Sequence, residues 1–204
     1  EHWEVLKGRF IGKATSTESL KDEDVAEVES DLAYIKVDDL NDEINTPVFS
    51  KSKQYSIVSD RSYTEKAIIF PKRGAAIFTN KASILYIKAL LDPNLMAWEL
   101  YKEQDIPFFY YALLARRLDD LADTSTVPQI NNKHILPAQF PSPPDSEKAG
   151  IVTYIKDQSV NIGQMIDKVG EALSKLEEYR SAIITSAVTG KIDVREVNIP
   201  QEVA

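Results

Sequence analysis

The chain contains no cysteine and only two histidines, His2 and His134. The first absence excludes a disulfide framework and thiolate metal sites, and it fits a reducing cytoplasm. The second leaves too few imidazoles, too far apart, for a zinc site. Glycine is scarce, with 7 residues, and none fall in the G-x-G-x-x-G spacing of a dinucleotide-binding loop. There is no run of eighteen apolar residues, so no membrane span is expected. The opening EHWEVLKGRF lacks an initiating Met and the apolar core of a signal peptide, and reads as the start of a fragment or of a processed product.

Charge, in contrast, is plentiful and unevenly placed. The 204 residues carry 32 acidic and 24 basic groups, a net charge of −8 that argues against indiscriminate nucleic-acid binding. Residues 1–45 hold 13 acidic and 5 basic groups. Residues 46–90 reverse the balance, with 8 basic and 2 acidic. A basic middle in an acidic chain predicts a localised anion-binding surface, although ordinary fluctuation in composition gives the same count.

No catalytic constellation assembles. The SPPD of Ser142–Asp145 lacks the aromatic residue with which an amino-methyltransferase stacks a flipped base, and no Gly-rich cofactor loop precedes it. The TGKI of residues 189–192 lacks the upstream glycine and following hydroxyl residue of a phosphate loop. PDSEK lacks the Glu-x-Lys spacing of common nucleases, and the carboxylates of KDEDVAEVESD read as a solvated face. Ser125 and His134 have no nucleophile turn around them. The chain therefore reads as non-catalytic, with neither cofactor nor metal.

Along the chain, LAYIKV reads as a strand, and QYSIVS follows it. IIFPKRGAAIFTN reads as strand, turn, strand, with Pro71 and Gly74 bracketing a basic hairpin tip. ASILYIKAL predicts one buried strand. DPNLMAWELYK predicts a helix capped by Asp92 with Pro93 in its first turn. PFFYYALLARRLDDLA predicts another helix, and PAQFPSPPD a semi-rigid connector without regular structure.

From Ser146 to Thr189 there is no proline. Ile155, Ile162, Val169, Leu176 and Ile183 recur every seven residues, with Ser159, Ile166, Leu173, Arg180 and Ala187 four after each. This alternation is a coiled-coil seam, closed by Gly190 at a C-cap position. About 44 helical residues at 1.5 Å each span about 66 Å. Gly163 and Gly170 weaken such a helix by up to ~1 kcal/mol apiece. No second long helix is predicted to cover the seam, so it needs a partner. The expected organisation is α+β: a globular mixed domain over residues 1–145, a long helix over 146–190, and a tail over 191–204.

The segment LEEYRSAIITSAVTGKIDVRE closely resembles the helical region of specificity (S) subunits of type I restriction–modification enzymes. WEVLKGRF is similar to the opening of their target-recognition domains, IIFPKRGAAIFTNK to their central strand–turn–strand, and STVPQINNKHI to the segment before their proline run and helix. The likeness is weakest over residues 15–60, and DSEKAGIVTYI departs from the family's usual acidic-acidic-Gln helix start. The resemblance implies a non-catalytic subunit that reads DNA for methyltransferase and restriction subunits. Full-length members carry two recognition domains and two antiparallel helices. One of each here leaves two options, pairing with a second copy or membership of a longer protein.

On this reading the basic middle supplies the DNA contacts. Lys72 and Arg73 come first, then Lys51, Lys53, Arg61 and Lys81, with Ser52, Gln54 and Tyr63 as polar readers. Arg73 is placed to reach a guanine edge and Lys72 a phosphate. Ser125, Thr126 and Gln129 shape the domain, and Arg116 and Arg117 pair with Asp119 or Asp120. The helix interface comprises Ile155, Ile162, Ile166, Val169, Leu173, Leu176, Ile183 and Ala187. The competing expectation is a coiled-coil adaptor that binds another protein and no DNA.

Overall fold

The computed structural model describes residues 2–17, 19–123 and 127–195. It divides into two compact units, residues 1–152 and 153–204. Strands β1 (Glu4–Lys7), β2 (Gly12–Thr15), β3 (Val25–Ala26), β4 (Ala33–Ile35), β5 (Gln54–Ser56), β6 (Ala67–Pro71), β7 (Ser83–Leu85), β8 (Ala89–Leu91), β9 (Leu95–Leu100) and β10 (Gln139–Ser142) belong to the first unit. So do the helices α1 (Gly8–Ile11), α2 (Ile106–Arg116), α3 (Leu118–Leu121) and α4 (Asn132–Ile135). Helix α5 (Asp145–Val188) begins in the first unit and accounts for most of the second. The fold is α+β, as the sequence predicts.

A four-stranded sheet in the order β2-β9-β6-β7 forms the centre. Alternation along β6 and β9 sends their side chains to two cores. Ile68, Phe70, Met96 and Trp98 face a core with α2, while Ala67, Ile69, Leu95 and Ala97 face one shared with Ile35, Leu91 and Phe49. The second sheet, β3-β5-β4-β8, supplies much of that other core. On the helical side, Trp98 packs tilted against Phe140 at 4.9 Å and edge-on to Phe109 at 5.9 Å between ring centroids. Such pairs each add about 0.5–1.5 kcal/mol beyond their buried area.

Several elements differ from their sequence expectation. Leu95–Leu100 is a strand, not a helix, because both of its faces are buried and no polar alternation marks it. Asp92 caps a tight turn instead, its carboxylate accepting from the Asn94 N–H at 2.7 Å. The ASILYIKAL run splits into β7 and β8, which join different sheets. Gln139–Ser142 pairs antiparallel with β1, with Val5 opposite Pro141. Proline is tolerated there because each strand of a two-stranded sheet has an open edge.

The start of α5 is tied into the first unit by its charged turn. Glu147 accepts from Trp3 Nε1 at 2.8 Å and lies 2.7 Å from His2 Nε2. These contacts hold its carboxyl below the ordinary glutamate range. Lys148 is buried and donates to Asp105 at 2.9 Å and to Asp145 at 3.2 Å. The DSEK turn is thus anchored by its own ion pairs. At its other end α5 closes as predicted, with Gly190 at φ 70° and Lys191 N–H donating to Ser186 O at 2.8 Å.

Candidate nucleic-acid interface

The basic segment Lys72–Gly74 is a corner and not a hairpin tip. β6 ends at Pro71, and Ala75–Thr79 forms a 3₁₀ turn where a second strand was expected. Lys72 N–H donates to Asn94 O at 2.7 Å, and Lys72 O accepts from Ile130 N–H at 2.9 Å. Gly74 N–H donates to Pro128 O at 2.9 Å. Gly74 itself lies at φ 79°, ψ −165°, a region open essentially to glycine alone. The corner is braced on two sides, so its side chains start from a fixed backbone.

Among the described residues, neither the Lys72 nor the Arg73 side chain has a carboxylate within 4.0 Å. Lys72 Nζ donates to Ser16 Oγ at 3.0 Å. Burial, and then the neighbouring Arg73 charge, push the Lys72 pKa below the ordinary lysine value, against a smaller pull from Asp92. Arg73 is exposed, and among the described residues no carboxylate lies within 4.0 Å of its guanidinium. Two adjacent cations without an acid between them attract an anion, and a planar guanidinium suits a phosphate or a guanine edge.

The other predicted contacts divide. Lys81 donates to Asn41 Oδ1 at 3.0 Å and shares a recess of about 230 Å³ with Pro71, Ala75 and Thr79, beside the corner. Lys53 is 3.0 Å from Asp42, which raises its pKa through that hydrogen bond. Lys51 lines a different recess with Lys53, Glu27 and Glu29. Arg61 is 3.7 Å from Asp24, and Tyr63 stacks under Lys88, 5.0 Å from its ring centroid. Ser52 is buried, its hydroxyl 2.7 Å from Tyr34 O and 2.8 Å from Gln54 O. Gln54 is half-buried within β5, and Gln129 bridges to Arg73 and Asp123 through its backbone. Arg117 pairs with Asp119 at 3.0 Å, whereas Arg116 turns to Gln139 O at 3.3 Å. Ser125 and Thr126 lie outside the described residues, as does the tail beyond Arg195.

One residue at the corner is absent from the sequence-derived set. Phe78 stands on the 3₁₀ turn between Arg73 and Lys81 with 55 % of its surface exposed. Ile77 beside it is fully buried and pins the turn. Asn80 closes the turn at φ 51°, its amide donating to Leu114 O and accepting from Leu118 N–H, each at 3.0 Å. The signal in the sequence is an aromatic flanked by cations in KRGAAIFTNK.

In the second unit, Ile162, Ile166, Val169, Leu173, Leu176 and Ile183 are exposed, with relative exposures from 42 % at Ile183 to 65 % at Ile166. Ile155 and Ala187, near the two ends of the seam, are half-buried. Among the described residues no cluster of three or more His, Cys, Asp or Glu could hold a metal, and no helix is long and apolar enough to cross a membrane.

No protein-family model matches the chain, and no curated protein does. Solved structures do. A chain from a structure of a type I restriction–modification (R–M) system superposes with a TM-score of 0.73, at 14 % identity over 91 % of this chain. The HsdS subunit from Thermoanaerobacter tengcongensis gives 0.64 at 13 % identity over 93 %. The type I S subunit from M. genitalium gives 0.52 at 14 % over 76 %. The fold is that of a type I S subunit. This chain covers 45 %, 46 % and 38 % of those three chains, so it spans less than half of an S-subunit fold. The likeness extends to the order of a mixed sheet–helix domain followed by a long helix.

Proposed function

We propose that this chain is a DNA-sequence reader of a type I R–M system, comprising one target-recognition domain and one spacer helix. The observation that carries the reading is the braced corner with its two adjacent cations, neither in an ion pair among the described residues, on a chain that shares the S-subunit fold. Arg73 reads a base edge in the major groove, Lys72 and Lys81 take phosphates, and Lys51, Lys53, Arg61 and Tyr63 flank them. The domain over residues 1–145 reads and the helix over 146–190 spaces. The chain itself catalyses nothing; methyltransferase and restriction subunits supply the chemistry in the cytoplasm. The exposed seam pairs antiparallel with that of a second copy, placing two identical heads about a two-fold axis. Such an arrangement reads a palindromic bipartite site with an unread spacer.

The test is selection of bound sequences from a randomised duplex library, with Arg73→Ala beside the unmutated chain. One good bidentate contact discriminates by about 1–3 kcal/mol. The variant should therefore lose roughly 5- to 150-fold preference at one position of each half-site and keep the rest. An unchanged preference would remove Arg73 from the reading set. If the chain binds only a protein partner, with affinity insensitive to salt, the adaptor reading stands, and the exposed seam is the feature that favours it.

A further inference from the structure

We infer that a second basic patch, formed by Lys7, Arg9 and Arg116 around Gln139, takes phosphates of the same DNA duplex; this rests on the DNA-reading function proposed above. Three separate elements bring the cations together. Lys7 ends β1 directly opposite Gln139. Arg9 lies in α1, a single turn whose backbone is fixed by Gly8 N–H donating to Ala138 O at 2.8 Å and Arg9 N–H to Leu136 O at 2.9 Å. Arg116 ends α2, and its Nη1 donates to Gln139 O at 3.3 Å while the guanidinium lies over the Phe140 ring at 5.9 Å. All three side chains are exposed. Lys7, Arg9 and Gln139 share an open recess of about 380 Å³ with Val5 and Phe10.

The charge of this patch has no internal answer. Elsewhere in the first unit cations meet carboxylates, as in Lys13 with Glu99, Lys66 with Glu103 and Lys133 with Asp123. Among the described residues, no carboxylate lies within 4.0 Å of Lys7, Arg9 or Arg116, and none lines the recess. A gathering of three unpaired cations, in a chain with 32 acidic groups, calls for an external polyanion. The patch and the corner lie at opposite ends of β2. Arg9 precedes β2 and Ser16, which receives Lys72 Nζ, follows it. The four residues of β2 span about 13 Å at 3.2–3.4 Å each. That is roughly four base pairs at 3.4 Å per step along one strand. The two basic patches thus bracket a length of duplex, the corner reading bases and this one adding register on the backbone. Exposed Val5 and Phe10 form its rim.

The experiment is binding of a labelled mixed-sequence duplex across 50–200 mM salt, comparing the unmutated chain with the Lys7→Gln/Arg9→Gln double variant. Each phosphate contact contributes about 0.9 to the slope of log affinity against log salt concentration. The double variant should flatten that slope by about 1.8 and keep the sequence preference set at Arg73. If the double variant does not fold, Lys7→Gln alone should flatten it by about 0.9. An unchanged slope in a folded variant, with a steep slope in the unmutated chain, overturns the patch and leaves the reading function intact. An unchanged slope with lost binding to a poly-glutamate probe overturns it in favour of an acidic protein partner. An unmutated chain that binds no duplex refutes the reading function and the patch with it.

Discussion

Lys148→Ala tests how the domain holds its helix. The Nζ sits between Asp105 and Asp145 and 5.6 Å from the Phe109 ring centroid, and only 6 % of the residue is exposed. Truncation leaves Asp105, itself 8 % exposed, as a buried carboxylate without its cation. Breaking one side of a buried ion pair costs about 3–5 kcal/mol, because the orphaned charge stays desolvated. For a unit of this size, each kcal/mol lowers the melting temperature by about 2–4 °C, so a fall of roughly 6–20 °C is expected. Urea unfolding followed by near-ultraviolet circular dichroism measures the same loss as free energy. The double variant Lys148→Met/Asp105→Asn removes both charges of the buried pair at nearly constant volume, and should recover much of the stability. The pH dependence has a defined sign. Burial lowers the Lys148 pKa, but the hydrogen bonds it donates to Asp105 and Asp145 outweigh it and raise the pKa above the ordinary lysine value. The contribution is then fully present below the unfolded lysine pKa and fades as pH rises through the higher folded value. A single variant that loses under about 1 kcal/mol, or a double variant as unstable as the single, would refute the buried-pair reasoning.

Two further outcomes follow from the exposed surfaces. Phe78→Ala should leave stability within about 0.5 kcal/mol, as for an ordinary surface site, yet weaken duplex binding at least roughly fivefold if the ring meets a thymine methyl or a base step; anisotropy titration at fixed salt decides. Leu173→Asp should convert a dimer to a single chain in light scattering, since each buried leucine contributes about 1.5–3 kcal/mol and each buried aspartate opposes pairing. A mass unaffected by the substitution would sink self-pairing through this seam.

The long helix is readable from sequence because nothing interrupts it and its period is strict. Ile155 through Ala187 keep the four–three alternation, and Gly190 takes the left-handed conformation that its place after the last periodic residue predicts. The strand at Leu95–Leu100 is not readable, because a run buried on both faces has no period and Asp92-Pro93 imitates a helix start. β10 is hidden by Pro141, which only an edge position tolerates, and by the prolines flanking it. At the candidate interface, the cationic pair Lys72–Arg73 is visible as composition. Its braced geometry is not, because the bracing comes from Asn94, Pro128 and Ile130, far along the chain. Which lysines meet a carboxylate, as Lys53 meets Asp42, is equally a property of the fold.

The pairing of β1 with β10 sets Glu4 against Ser142, three residues before α5 begins. The chain thus enters and leaves its sheet–helix head at neighbouring points, and the head is a closed excursion from one local anchor. Such a head can be exchanged whole, by recombination at its neck, without changing the length of the helix that follows.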